Sequence, residues 1–186
     1  MKHSYFYNQT LTVDLILKKP RTFKNIMQLP RVNKIVIDTT NKAILKNPKY
    51  LMNSILFLES LSGQIPTLTF AKKSIATLKL KKNQILGCML TLKKDRIYSF
   101  FHKLIHVSLP LVHDFWGIRG NVSNNDMANK GIALGLNNIM IFPEIENNYL
   151  FLDDFYTNTI GANINIVFKP FCCITVKEIA SFFRLN

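Results

Sequence analysis

"SGQIPTLTFAKKSIATLKL", residues 62–80, opens with a turn, runs through an extended apolar stretch and then places lysines at 72, 73 and 79 with no acid among them. Gly63 suits the end of a helix that starts near Asn47-Pro48 and carries Leu51, Ile55 and Leu58 or Leu61. "TLTF", 67–70, reads as a short strand, and "QILGCMLTLKK", 84–94, as a longer one. The stretch is therefore the helix end, the strand and the basic connection leading to the next strand. In 84–94 the period of two puts Thr91 and Lys93 on one face and Leu90 and Leu92 on the other. Gln64 is expected on the polar face with Thr91 and Lys93.

Working outward, "RVNKIVID", 31–38, alternates as a β-branched strand, and 5–18 carries Leu11, Leu15 and Ile16 at helical spacing. Residues 95–109 form a second long helix with a broad apolar stripe of Ile97, Phe100, Phe101, Leu104, Ile105 and Leu109. Asp95 is its expected N-cap and Pro110 its end. Segment 120–131 is turn-rich and reads as a mobile loop, followed by strands at 132–136 and 163–168 and a terminal helix at 175–183. Strands and helices do not alternate strictly. The expected fold is one α+β domain over 1–186, an antiparallel or mixed sheet with helices on one face and a basic loop between the second and third strands.

The charge is one-sided. Residues 1–104 hold 19 Lys+Arg against 4 acids, whereas 105–186 hold 5 against 7. Such asymmetry implies a polyanion met by one half of the chain. No run approaches the ~18–20 apolar residues of a membrane span. The first ten residues lack the apolar core of a signal peptide and the Arg/Ser-rich pattern of a transit peptide, so the protein is expected to work where it is made. Lys, Asn, Ile and Phe make up 73 of the 186 residues; all four have A/T-rich codons, which hints at an A/T-rich genome such as an organelle's.

Catalytic chemistry is poorly supplied. Asp153 and Asp154 are neighbours and would point to opposite faces of a strand. His102 and His106 have the i, i+4 spacing of metal ligands but lack the Glu of HExxH and a third ligand. "GIALG", 131–135, is no phosphate loop, and Cys88, Cys172 and Cys173 form no CxxC pair and read as reduced thiols. We expect no catalytic residue, no metal and no cofactor. What is present is a cluster of eight Lys and one Arg between 71 and 103, opposed only by Asp95. Gln64, Thr67, Thr69, Ser74, Thr77 and Thr91 are interspersed. Lysines supply sequence-independent attraction to phosphates, and hydroxyls and amides suit the sugar 2′-OH of RNA.

Four separated motifs make this specific: "MQLPRVNKIVID" at 27–38, "LSGQIPTLTFAKKSIATLKLKKNQILGCMLTLKKDRIYSFFHKLI" at 61–105, "LPLVHDFWGI" at 109–118 and "IMIFPEI" at 139–145. In that order they resemble the large-subunit ribosomal protein five family, bacterial-type proteins that carry 5S rRNA in the central protuberance. The resemblance implies an antiparallel sheet with helices on one side and a structural, non-enzymatic role. It implies that one sheet face meets 5S rRNA or equivalent central-protuberance rRNA, through Arg31, Asn33, Asp38, Gln64, Thr67, Thr69, Lys72, Lys73, Ser74, Thr91, Lys93 and Arg96. The loop Ile75, Ala76, Thr77, Leu78, Lys79, Leu80, Lys81 and Lys82 would face P-site tRNA. Large-subunit rRNA, small-subunit ribosomal protein thirteen and neighbouring large-subunit proteins are the further partners implied.

The chain departs from the family at Asp38, where an asparagine is usual, and around Leu111, His113 and Trp116, where arginines are usual. These departures fit a mitochondrial ribosome, with the protein encoded by the organelle and acting in its matrix; a plastid-derived organelle or a bacterial cytoplasm is the alternative. The function from a different class is a stand-alone basic RNA-binding or RNA-processing protein.

Overall fold

The computed structural model describes residues 11–18, 25, 29, 31–45, 47–112, 131–146 and 160–168. In chain order these form α1 (Leu11–Lys18), β1 (Val32–Thr40), a 3-10 turn (Lys42–Leu45), α2 (Lys49–Ser62), β2 (Thr67–Phe70) and β3 (Ile85–Leu92). Then come α3 (Asp95–Lys103), β4 (Gly131–Leu136), α4 (Pro143–Glu146) and β5 (Ala162–Phe168). The strands make one five-stranded antiparallel sheet in the order β2-β3-β1-β5-β4, and with its helices the fold is α+β, as the sequence led us to expect. The chain divides into two compact units, Met1–Ile35 with Leu92–Leu134 and Asn165–Asn186, and Val36–Thr91 with Gly135–Ile164.

In the second unit the alternation of the strands separates a dry face from an open one. Ile37 and Thr39 on β1, Cys88 and Leu90 on β3 and Ala162 and Ile164 on β5 are all buried. They share this interior with Phe57, Leu58 and Leu61 of α2 and with Phe142 and Ile145 at α4, and α2 and α4 pack against each other. Helix α2 ends as its sequence dictates: Gly63 sits in the left-handed region at φ 63 and donates its N–H to Glu59 O at 2.7 Å. Ser54 is buried within this helix because its hydroxyl donates to Tyr50 O at 2.9 Å, leaving no unpaired polar group.

Gly87 is fixed by close approach. A Cβ at this position would stand 2.0 Å from the Thr39 carbonyl oxygen, so no side chain fits between β3 and β1. Beside it, β2 and β3 pair Thr67 with Met89 and Thr69 with Gly87, but Phe70 with Ile85. Leu86 is thus the extra residue of a bulge.

In the first unit, Ile97, Phe100, Phe101, Leu104 and Leu109 are buried as expected. Two details of the 95–109 helix are corrected. Lys94, at φ 56, occupies the N-cap position, and Asp95 is the first helical residue, where its carboxylate still lies in the favourable first turn. The helix also does not stop at Pro110: it passes through a π turn at Leu104–Ser108 and ends at Leu111. Within that turn the Leu109 N–H donates to Leu104 O. Proline at 110 has no N–H and its ring crowds the carbonyl four residues back, so a wider turn there relieves the clash. The turn also brings Ser108, not Ile105, into the fully buried set. In α1, Ile16 is exposed.

The proposed loop 120–131, except Gly131 at the start of β4, and the terminal helix 175–183 fall outside the described residues, as do His113, Trp116, Asp153, Asp154, Cys172 and Cys173. Among the described residues no helix is long and apolar enough to cross a membrane.

Candidate RNA interface

The open face of the second unit carries Asp38 and Thr40 from β1, Thr67 and Thr69 from β2, Met89 and Thr91 from β3, and Asn163 from β5. All are exposed or half-buried, whereas the residues alternating with them on β1, β3 and β5 are buried. Apart from the exposed Met89, its side chains are short, and at Gly135 of β4 a Cβ would have only Asn163 Oδ1 near it, at 3.8 Å. Thr67 Oγ1 donates to Met89 O at 2.9 Å. Thr69 Oγ1 has no hydrogen-bond partner among the described residues. Asn163 Nδ2 donates to Asp38 Oδ2 at 3.0 Å, which turns the carboxylate towards β5. A surface of threonines and amides with little relief suits contact with riboses and phosphates.

Next to this face, residues 71–84 form an ordered hairpin. Its base is closed by Ala71 N–H to Gln84 O at 2.9 Å and Asn83 N–H to Ala71 O at 3.0 Å. Further out, Ile75 and Leu80 exchange two backbone hydrogen bonds of 3.1 Å, and a 3-10 turn at Ala76–Leu78 reverses the chain. Lys79 at φ 54 and Asn83 at φ 66 take the left-handed conformations that the reversal needs. Gln84 Oε1 accepts from Lys81 N–H at 3.1 Å. With the backbone bridged at its base and near its tip, the side chains of 72–79 all stand exposed, with Leu80 half-buried and Lys81 and Lys82 exposed.

The expected site residues therefore fall into four groups. Asp38, Thr67, Thr69 and Thr91 share the open face, with Thr91 half-buried and Leu90 and Leu92 buried behind it. Lys72, Lys73, Ser74 and the 75–82 segment form the hairpin. Gln64 is half-buried just after α2, where Ser62 Oγ accepts its backbone N–H at 3.1 Å. Arg31, Asn33, Lys93 and Arg96 belong to the first unit; Arg31 is half-buried and the other three are exposed. Sequence reasoning overlooked Thr40, Met89 and Asn163, although the period of two in "ANINIVF" was a legible signal for the last. His102 and His106 stand with ring centroids 4.5 Å apart, and among the described residues no group of three or more potential ligands could hold a metal ion.

A profile described as ribosomal protein L5 matches residues 25–81, and one for the C-terminus of the same ribosomal family matches 85–178. This chain belongs to the ribosomal protein L5 family. Among its relatives is the large ribosomal subunit protein uL5 of Moorella thermoacetica, 44% identical over 125 residues, which are 67% of each chain. The uL5 of Geotalea uraniireducens is 37% identical over 161 residues, 87% of this chain and 84% of that one. That of Desulfosudis oleivorans is 37% identical over 142 residues, 75% and 78% respectively. Membership of the L5 family makes the protein a structural, non-enzymatic constituent of the large ribosomal subunit and sets aside the RNA-processing alternative. The two L5 profiles meet between residues 81 and 85, at the return arm of the hairpin.

Proposed function

We propose that the protein binds 5S rRNA, or the central-protuberance rRNA that stands in its place, through the open sheet face, while the 71–84 hairpin extends towards P-site tRNA. The observation that carries this reading is the pairing of a low, hydroxyl-rich face with an ordered, acid-free arm on which Lys72, Lys73, Lys79, Lys81 and Lys82 are all exposed. Asp38, Gln64, Thr67, Thr69 and Thr91 supply neutral or accepting contacts, with Arg31, Asn33, Lys93 and Arg96 as further RNA contacts. Small-subunit ribosomal protein thirteen and neighbouring large-subunit proteins complete the partners. We place the protein in a mitochondrial ribosome, on the strength of its richness in Lys, Asn, Ile and Phe, residues whose codons are A/T-rich, and of the family's asparagine and arginines being replaced at Asp38, Leu111, His113 and Trp116.

Titration of the purified chain against 5S rRNA at several salt concentrations tests the binding. If about five lysines each neutralise a phosphate, the log–log slope is roughly −3.5 to −4.5. A slope near zero would sink the electrostatic reading. Fractionating source cells and probing mitochondrial and cytosolic large subunits for the protein tests the compartment; recovery from cytosolic subunits alone refutes it.

A further inference from the structure

Beneath the hairpin lies a groove of about 770 Å³ between its tip, the end of β1 with the following 3-10 turn, and the start of β3. Its walls are aliphatic: Leu45 from the turn, Leu78 from the hairpin tip and Leu86, the residue that the bulge leaves without a partner on β2. Its cations are Lys42 and Lys79, and no acid among the described residues lines it. The polar groups at its margin are amides and hydroxyls. Asn41 Oδ1 already accepts from Ala43 N–H at 2.9 Å, and Gln84 Oε1 from Lys81 N–H at 3.1 Å. Each amide oxygen thus has one lone pair engaged, while the NH2 groups of Asn41 and Gln84 remain to donate outward, and the Thr40 and Thr77 hydroxyls can donate or accept. The groove thus offers apolar walls, two positive charges and spare donors.

Resting on the RNA reading above, we propose that this groove takes one unstacked nucleotide of a single-stranded or loop segment of RNA. The base lies between Leu78 and Leu86, and the flanking phosphates lie on Lys42 and Lys79. The chemistry matches on each count. A base has apolar faces and acceptor-bearing edges, and its phosphates carry only acceptors, so the amide donors and the lysines are all used. The volume lies within the roughly 300–1,000 Å³ of sites for ligands of this size. An aliphatic peptide segment would fill the leucine walls equally well. An uncharged peptide would, however, leave both Lys42 and Lys79 without counter-charge.

The test uses the full chain with Leu78→Asn, a change at a 44% exposed position that alters no charge. Two probes are titrated: a stem-loop RNA with an unpaired loop and a blunt duplex of the same length. The stem-loop affinity is expected to fall about tenfold, with duplex affinity and both salt slopes unchanged. In addition, 4-thiouridine in the loop of the stem-loop should photo-crosslink to peptides covering 40–45 and 77–86 of the wild type. Equal losses on both RNAs, or no loss on either with no such crosslink, would overturn the groove assignment while leaving the RNA reading in place; the second result hands the groove to a protein segment. A wild type that binds neither RNA overturns the RNA reading and this inference with it.

Discussion

Two ends of one strand behave in opposite ways. Where β3 runs beside β1, Gly87 has no room for a single carbon and Cys88 is sealed against Thr39 with Sγ and Oγ1 3.3 Å apart. A few residues upstream, the hairpin that leads into the same strand exposes every side chain from 72 to 79. The difference lies in what holds each backbone. The hairpin bridges its own backbone at the base and near the tip, so the exposed side chains of 72–79 are free to carry charge. The β3–β1 seam is held by distant strands, so its side chains are chosen by volume.

The sharpest way to break this contrast is Gly87→Ala. The new methyl meets backbone, not the end of a flexible side chain, so the strands must part, and the loss should be about 3 kcal/mol in urea unfolding. A loss below about 1 kcal/mol would mean that the seam yields as easily as the hairpin. Next, Lys72→Gln with Lys73→Gln should leave stability within about 0.5 kcal/mol of wild type. The same double change should weaken 5S rRNA binding about tenfold, roughly 1.4 kcal/mol, at physiological salt and make the salt slope shallower by about 1 to 2. Unfolding at lower urea would show that the hairpin lysines do structural work after all.

Asp38→Asn is a smaller effect in the opposite sense. The new amide oxygen can still accept from Asn163, while its NH2 becomes a donor on the open face where we propose RNA binds, and a charge that would repel phosphate disappears. Affinity for 5S rRNA should tighten about fivefold, roughly 1 kcal/mol. Equal or weaker binding would show that the interface is rebuilt around the carboxylate.

The smallest effect belongs to Thr39→Val, which keeps the shape and removes one weak bond to sulfur, at a cost of about 0.5 kcal/mol. Burial pushes the Cys88 thiol above its ordinary range, and the Thr39 hydrogen bond partly offsets that. The folded chain therefore holds this proton more tightly than the unfolded one. Its contribution to stability is fully present below the unfolded thiol's pKa and declines as pH rises towards the folded value. With Thr39→Val the thiol pKa should rise further, which ultraviolet thiolate titration can follow once Cys172 and Cys173 are replaced by serine. An unchanged or lower pKa would refute the role given to Thr39.

How much of this was legible in the sequence follows the same division. "TLTF" was readable as a strand, and in "MLTL" the alternation of buried Leu90 and Leu92 with half-buried Thr91 was readable directly, because period two is a local property. Gly63 announced a helix end for an equally local reason, since a left-handed cap favours glycine. The basic arm was visible from composition alone. What escaped were features made by distant pairs. Nothing near Gly87 says that Thr39 O will lie against it, and nothing near Asp38 names Asn163. The π turn before Pro110 was also missed, because a proline near a helix end is usually read as a stop and not as a reason to widen the preceding turn.

The hydrogen bond from Asn163 to Asp38 spans 125 residues of chain. At about 5–20 residues per second, a ribosome needs roughly 6–25 seconds to make that much polypeptide. The β2–β3 hairpin, whose partners lie within about two dozen residues, can zip up early in that interval, and β1 can join its β3 side soon after. The other margin of β1 must wait for β5 to be synthesised, so for several seconds the nascent sheet has a bare edge beside Asp38. Asp38 stands at that late-closing seam, where a carboxylate makes the bare edge less inviting to another growing chain.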